Sequence, residues 1–134
     1  MNIVIVDDDK KILEMLERAF VMETDYKIIS TTNPIEAYDI VTKQKIDLVI
    51  TDIQMPEMNG LDLLKKIKKT NGMVQVITMT AYTSFDNVMT ALRRGSYEIF
   101  LKPFKDVQEI VKCARELENK IKRWKQIIIE ITRK

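Results

Sequence analysis

Residues 45–60 read KIDLVITDIQMPEMNG. Within them Ile46, Leu48, Val49 and Ile50 form an apolar run broken only by Asp47, the pattern of a strand buried on both faces of a parallel sheet. Asp52 closes that run. Pro56, Asn59 and Gly60 then mark a turn-rich loop, and helical spacing resumes over residues 61–69, which places Asp52 where a strand gives way to the loop before a helix. Ligands of open α/β sheets bind along that edge. Taken alone, Asp52 reads better as a solvated strand-end carboxylate, and it is the rest of the chain that overturns this.

The 134 residues suit one domain, and 46% hydrophobic with 31% charged residues is an ordinary balance for a globular protein with a real core. No apolar run approaches the roughly 20 residues that span a bilayer, and residues 1–6 carry no basic leader, so a cytoplasmic protein without membrane contact is expected. The one cysteine, Cys113, excludes an internal disulfide. The absence of histidine excludes His/Cys metal sites and any step that needs an imidazole, leaving oxygen ligands. Residues 105–134 hold nine Lys/Arg against five Asp/Glu, leaving 13 against 15 in residues 1–104, so the basic bias belongs to the tail.

In order along the chain, residues 2–6 (NIVIV) read as a strand that stops at Asp7, Asp8 and Asp9, before Ile12, Leu13, Leu16, Ala19 and Phe20 recur at helical spacing. Asp9 suits a helix cap. Capping does not need three adjacent acids, so Asp7 and Asp8 read as a site. Residues 26–30 form a second strand, and Asn33-Pro34 caps and starts a helix. After the third strand, Lys65, Lys66, Lys68 and Lys69 read as a solvated cationic helix face. Residues 73–80 form a fourth strand ending in Thr80, and Thr83-Ser84 starts the next helix, which ends at Arg93-Arg94-Gly95. Residues 97–101 make a fifth strand that runs into Lys102-Pro103, an X-Pro bond open to the cis form. Five strand-helix alternations give a doubly wound (βα)5 parallel sandwich, because parallel strands require crossover helices. The singled-out polar residues all fall at the carboxyl ends of strands.

Asp7, Asp8 and Asp52 on one edge make a hard oxygen site of the kind Mg²⁺ accepts, with waters and a phosphoryl oxygen completing the shell. Asp52 can then act as a carboxylate nucleophile toward a phosphoryl group, with the metal and the Lys102 ammonium neutralising its oxygens and Thr80 supplying a hydroxyl donor. An electron carrier of flavodoxin type would instead need a Ser/Thr/Gly-rich cradle after strand one, where three acids stand. A Mg²⁺-dependent aspartyl-phosphate phosphatase would carry a second acid two residues after Asp52, where Gln54 stands.

VDDD at residues 6–9, DIQMPEMNG at 52–60, MTAY at 79–82 and LKPF at 101–104 together resemble the receiver domain of two-component response regulators, over about residues 2–117. The resemblance implies a flavodoxin-like sheet of order 2-1-3-4-5 and a phosphorylated switch rather than an enzyme, its only chemistry being self-phosphotransfer and autodephosphorylation. By this likeness Asp52 is the phospho-acceptor, Asp8 a direct Mg²⁺ ligand, Asp7 a ligand through water and the Gln54 backbone carbonyl a further ligand. Thr80 is the switch hydroxyl and Lys102 the phosphate partner, with a cis bond to Pro103. The donor would be a sensor histidine kinase or phosphotransfer protein, which accounts for a chain that needs no histidine of its own.

Val107, Ile110, Ala114, Leu117, Ile121, Trp124, Ile128 and Ile131 keep a 3,4 spacing for four heptads, as a coiled-coil seam does. A helix over residues 106–133 would run roughly 42 Å against a body of about 35 Å, so its last turns must project, exposing Trp124, Ile127, Ile128, Ile129 and Ile131. Residues 1–117 are therefore expected as the receiver body and 118–134 as a helical extension, with a homodimer through residues 107–131 the sharper expectation. A helix folded back over the body, or a linker to an output domain, are the alternatives. In a parallel pair Lys120 would face Lys125 of the other copy. Direct nucleic-acid binding is not expected, since no helix-turn-helix follows and the charges are mixed.

Two features qualify the likeness. Ile99 stands three residues before the lysine, where the family usually has a rotating Tyr or Phe, and Phe100 has the wrong parity to replace it. Gln54 and Tyr82 match the family's variable positions that tune autodephosphorylation, and a bulky Tyr82 would screen the acyl phosphate from water. Tyr82→Ala should therefore lose its phosphoryl group faster than the native chain, measured as acyl-phosphate half-life; equal half-lives would dispose of the screening role.

Overall fold

A computed structural model describes residues 1–81 and 84–133. Five strands and five helices alternate without exception: β1 (Asn2–Val6), α1 (Lys10–Glu23), β2 (Lys27–Thr31), α2 (Pro34–Lys43), β3 (Leu48–Asp52), α3 (Gly60–Thr70), β4 (Gln75–Thr80), α4 (Phe85–Arg93), β5 (Glu98–Leu101) and α5 (Gln108–Thr132). All pairings are parallel and the order is β2-β1-β3-β4-β5, as the alternation and the resemblance require. The expected boundaries shift by one or two residues. β2 starts at Lys27 rather than residue 26, and β4 at Gln75 rather than residue 73, because Asn71, Gly72 and Met73 are spent on the turn that leaves α3.

Side chains alternate across the sheet and separate its two cores. Ile3, Ile5, Leu48, Ile50, Ile77 and Met79 pack under α1 and α5, whereas Val4, Val6, Val49 and Val76 pack under α2 and α3. A small third cluster of Ile53, Leu61 and Ala91, with Ile99 against it, lies by α4. Phe100 packs on the α1/α5 side, so the expected parity of Ile99 and Phe100 is what the strand adopts.

Helix starts follow their caps. Asp9 accepts from the Lys11 N–H at 2.9 Å, Asn33 from Ile35 at 2.9 Å and Asn59 from Leu61 at 2.7 Å, each satisfying an amide that the first turn leaves free. α4 is the least anchored helix, with Ala91 its only buried residue. Just past its end Arg94 donates to the Leu61 carbonyl at 2.9 Å and meets Asp62 at 3.2 Å, tying it to the first turn of α3. Lys68 departs from the solvated face expected of the α3 lysines. It is half-buried, donates to the Gly72 carbonyl and the Gln75 side chain, and burial lowers its pKa.

α5 is one continuous helix, not a chain folded back over the body. Ile110, Ala114, Leu117 and Ile121 of the expected seam are buried in the molecule's own core, and Trp124, expected to be exposed, packs partly against it. Of the span 107–131 expected to self-associate, Ile110, Ala114, Leu117 and Ile121 thus face the sheet, which leaves the part beyond Trp124 for a second copy. Tyr26 donates to Glu118 at 2.9 Å and Arg115 donates to the Glu23 carbonyl, anchoring the helix at the sheet's lower edge. Beyond Trp124 the isoleucines at 127, 128, 129 and 131 are exposed.

One glycine fixes the loop after β3. A Cβ on Gly60 would lie 2.0 Å from the Asp52 carbonyl oxygen and 2.9 Å from the Ile53 Cα, both main-chain atoms that cannot step aside. Gly60→Ala should lower stability by at least about 2 kcal/mol, read from the urea midpoint; an unchanged midpoint would show that the α3 start does not press on Asp52.

Candidate functional site

Period two carries the site as it carries the core. Asp7 continues the Ile3, Ile5 row, Asp52 the Leu48, Ile50 row, and Lys102 follows Phe100, so all three emerge on the α1/α5 side at the carboxyl edge. Asp7, Asp8 and Asp52 each offer a carboxylate oxygen, and these atoms lie within 4.8 Å of one another. Asp7 is 0% exposed and Asp52 6%, while Asp8 faces solvent. The Lys102 ammonium sits between the buried pair, 2.5 Å from Asp7 Oδ2 and 3.3 Å from Asp52 Oδ1. The Lys102–Pro103 bond is cis, as expected.

Local backbone holds each carboxylate. Asp7 Oδ1 accepts from the Asp9 N–H at 2.9 Å, at the turn that opens α1. The Ile53 N–H is shared between Asp52 Oδ1 at 3.0 Å and the Met79 carbonyl at 2.9 Å. The Asp52 carbonyl receives the buried Thr51 hydroxyl at 2.9 Å, on the side where Gly60 closes in. Thr51 and Gly60 therefore fix the peptide unit that bears Asp52. Neither stood out as a site residue in the sequence; a small residue at the start of α3 and a hydroxyl before the acid were the available signals.

Thr80 is 1% exposed at the end of β4, and its carbonyl accepts from the Lys102 N–H at 2.8 Å, which sets β4 and β5 side by side at this edge. Gln54 follows on the loop with its side chain exposed, ahead of Glu57, whose φ of 71° is left-handed. Ile99 lies off the acidic cluster, in the α4 pocket with Ile53, Leu61 and Ala91. Tyr82 lies outside the described residues.

The electrostatics are those of a cation site. Burial, and then the neighbouring Asp7 charge, push the Asp52 carboxyl up to about 6 in spite of Lys102. Asp7 is raised too, because burial outweighs its hydrogen bond to Lys102. For Lys102 burial works the other way, yet the hydrogen bond it donates to Asp7 and the Asp52 charge win and hold the ammonium above its usual pKa. Like-charged carboxylates this close repel unless a cation intervenes. Lys102 supplies one positive charge against three carboxylates, and hard carboxylate oxygens are the donor set that Mg²⁺ takes.

The sequence profile of the response regulator receiver domain matches residues 3–115. Sporulation initiation phosphotransferase F of Bacillus subtilis is 39% identical over 109 residues, covering 81% of this chain and 86% of that protein. The DNA-binding transcriptional regulator NtrC of Klebsiella pneumoniae is 40% identical over 109 residues, but these amount to 80% of this chain and only 22% of that protein. Among solved structures, a CheY-like response regulator receiver domain protein from Methanospirillum hungatei superposes with a TM-score of 0.86 at 25% identity, covering 91% of this chain and 96% of that one. The chain belongs to the response regulator receiver family. Its function is that of the family: a two-component signalling domain that accepts a phosphoryl group on an aspartate and is a switch rather than an enzyme of metabolism.

The raised carboxyls make a signed pH dependence. An acid whose folded pKa lies above its unfolded value of 3.8 subtracts stability as pH rises from about 4 to about 6, and the loss is complete above 6. Asp52→Asn should therefore stabilise the metal-free protein by about 1–3 kcal/mol at pH 7.5, with the gain shrinking toward pH 4, measured by thermal denaturation. The same protons compete with a cation, so Mg²⁺ affinity by calorimetry should fall about tenfold between pH 6 and pH 5. A flat profile would mean that Asp52 does not titrate here.

Proposed function

We propose that Asp52 is the residue that carries the phosphoryl group. The observation that supports this is the convergence of Asp7, Asp8 and Asp52 within 4.8 Å around the Lys102 ammonium. The Asp52 carboxylate attacks phosphorus while the bond from phosphorus to the donor nitrogen breaks, leaving a neutral imidazole on the donor and an acyl phosphate on Asp52. The donor is a sensor histidine kinase or phosphotransfer protein, in keeping with a chain that has no histidine. Later attack by water returns the carboxylate and releases inorganic phosphate, so the chemistry stays with the chain's own phosphoryl group.

Mg²⁺ fits the donor set: Asp8 and Asp52 would bind it directly, Asp7 through water, with the Gln54 carbonyl as a further ligand. When bound, it offsets charge on the phosphoryl oxygens. Lys102 then has a second task. Its ammonium leaves Asp7 for the new phosphate oxygens, since a dianion outcompetes a carboxylate that a divalent cation already neutralises. The Thr80 hydroxyl, at the end of the neighbouring strand, turns in to donate to the same group, and Pro103 holds the strand end from which Lys102 reaches. Ile99 is packed inward as an aliphatic wedge, so the outward signal runs through α4 without a swinging aromatic ring, and Tyr82 tunes the lifetime of the acyl phosphate.

No helix among the described residues is long and apolar enough to cross a membrane, and we read the chain as acting in the cytoplasm. Residues 1–117 form the receiver body, and residues 118–134 an extension continuous with it, through whose free end two copies associate. Intact mass after incubation with acetyl phosphate and Mg²⁺ is the test. The native chain should gain the mass of one HPO₃, Asp52→Asn should gain nothing, and omission of Mg²⁺ should suppress the gain; an adduct that persists in Asp52→Asn would move the acceptor elsewhere.

A further inference from the structure

The stripe that packs α5 on the body does not stop at the body's edge. After Ile110, Ala114, Leu117 and Ile121 it continues through Trp124, Ile128 and Ile131, flanked by Ile127. Ile127, Ile128 and Ile131 are 41, 50 and 68% exposed. An apolar stripe on a projecting helix needs a second surface to cover it. Resting on the reading that two copies associate here, we propose that the occupant is the same segment of a second copy, packed antiparallel.

Charge selects the direction. Side by side in parallel, each charged residue lies next to its own copy, and Lys120 of one helix meets Lys125 of the other. Lys120 is moreover engaged already, its ammonium 5.0 Å from the Tyr97 ring centre. With one helix reversed and the pair crossing near Ile127, Arg123 of each copy faces Glu130 of the other. These two residues are seven apart, hence on the same flank two turns removed, and the two-fold axis makes both contacts at once. The long-range balance agrees. Residues 120–134 carry six Lys/Arg against one Asp/Glu, and residues 1–119 carry 16 against 19. Antiparallel pairing brings each positive end beneath the other copy's negative body, whereas parallel pairing puts the two positive ends together.

The contact is small, three turns from each copy, below the roughly 800 Å² per partner of standard interfaces. Association therefore falls in the micromolar to millimolar range. The phosphorylation edge is at the opposite end of α5 and stays open to a donor.

Sedimentation equilibrium from micromolar to millimolar chain should show a monomer-dimer equilibrium that the double variant Ile128→Ser, Ile131→Ser abolishes while its circular dichroism is unchanged. Arg123→Glu should weaken the dimer about tenfold, and Arg123→Glu with Glu130→Arg should restore it, at a cost scale of ~1.4 kcal/mol. A spin label on Arg133→Cys reads the direction, since Cys113 is buried with its thiol pushed up to about 11 and stays unlabelled. Antiparallel helices hold the two labels roughly 20 Å apart along the axis, and parallel ones hold them side by side. A monomer at every concentration would remove self-association altogether. A dimer with adjacent labels would keep self-association and overturn the antiparallel arrangement, and one that survives the Ile128/Ile131 double substitution would overturn this surface.

Discussion

Two carboxylates, one fully enclosed and one nearly so, share a single ammonium at the carboxyl edge of the sheet. Each would be costly alone in that position, and together they repel. Lys102 makes the arrangement tolerable, reaching in from β5 across β4 and β3 toward β1, so one side chain links the ends of three strands. The compensation is partial by construction. One positive charge beside three acids leaves Asp52 reluctant to ionise and leaves the edge short of cation. A site with that deficit is predisposed to take up a divalent ion, and it is electrically unsettled when an anionic group arrives. The resting geometry is thus already a strained compromise whose relief depends on what binds.

The surrounding fold serves this compromise. Parallel pairing in the order β2-β1-β3-β4-β5 puts β1 and β3 side by side, the one adjacency that brings Asp7 and Asp52 together. Period-two alternation then sends both side chains to the same face as Lys102. Main-chain contacts finish the alignment: the shared Ile53 amide, the Thr51 hydroxyl and the close approach of Gly60 leave the Asp52 peptide little freedom. This is how a reactive carboxylate comes to be held by strand ends rather than by a mobile loop.

Most of this was legible in the chain. Strand-helix alternation, the Asp9, Asn33 and Asn59 caps and the strand-end position of each polar residue follow from local rules, and local rules survive folding where caps and periodicity agree. The four motifs located the site because acids, hydroxyl and lysine each terminate an apolar run. What escaped were facts of packing. Trp124 looked exposed because helix length was weighed against the diameter of a sphere, whereas the body is deep enough along α5 to carry the buried face on through Ile121. Lys68 looked like its neighbours, but only it points back toward the turn before β4. Gly60 reads in the sequence only as part of a turn and Thr51 is not singled out at all, since their role appears only when Asp52 is seen against them.

The other four helices each bury three or more side chains, and α4 buries one, with Arg94 as its main polar tether to α3. Local stability in a folded chain follows such anchoring. This helix therefore sits on the shallowest part of the energy surface, next to the strand end that bears Thr80. A disturbance at the acidic edge meets least resistance there, so among the helices that lie on the sheet, the projecting end of α5 aside, the main-chain amides of α4 should be the first to trade hydrogen with solvent, and its position is the coordinate along which the domain most readily yields.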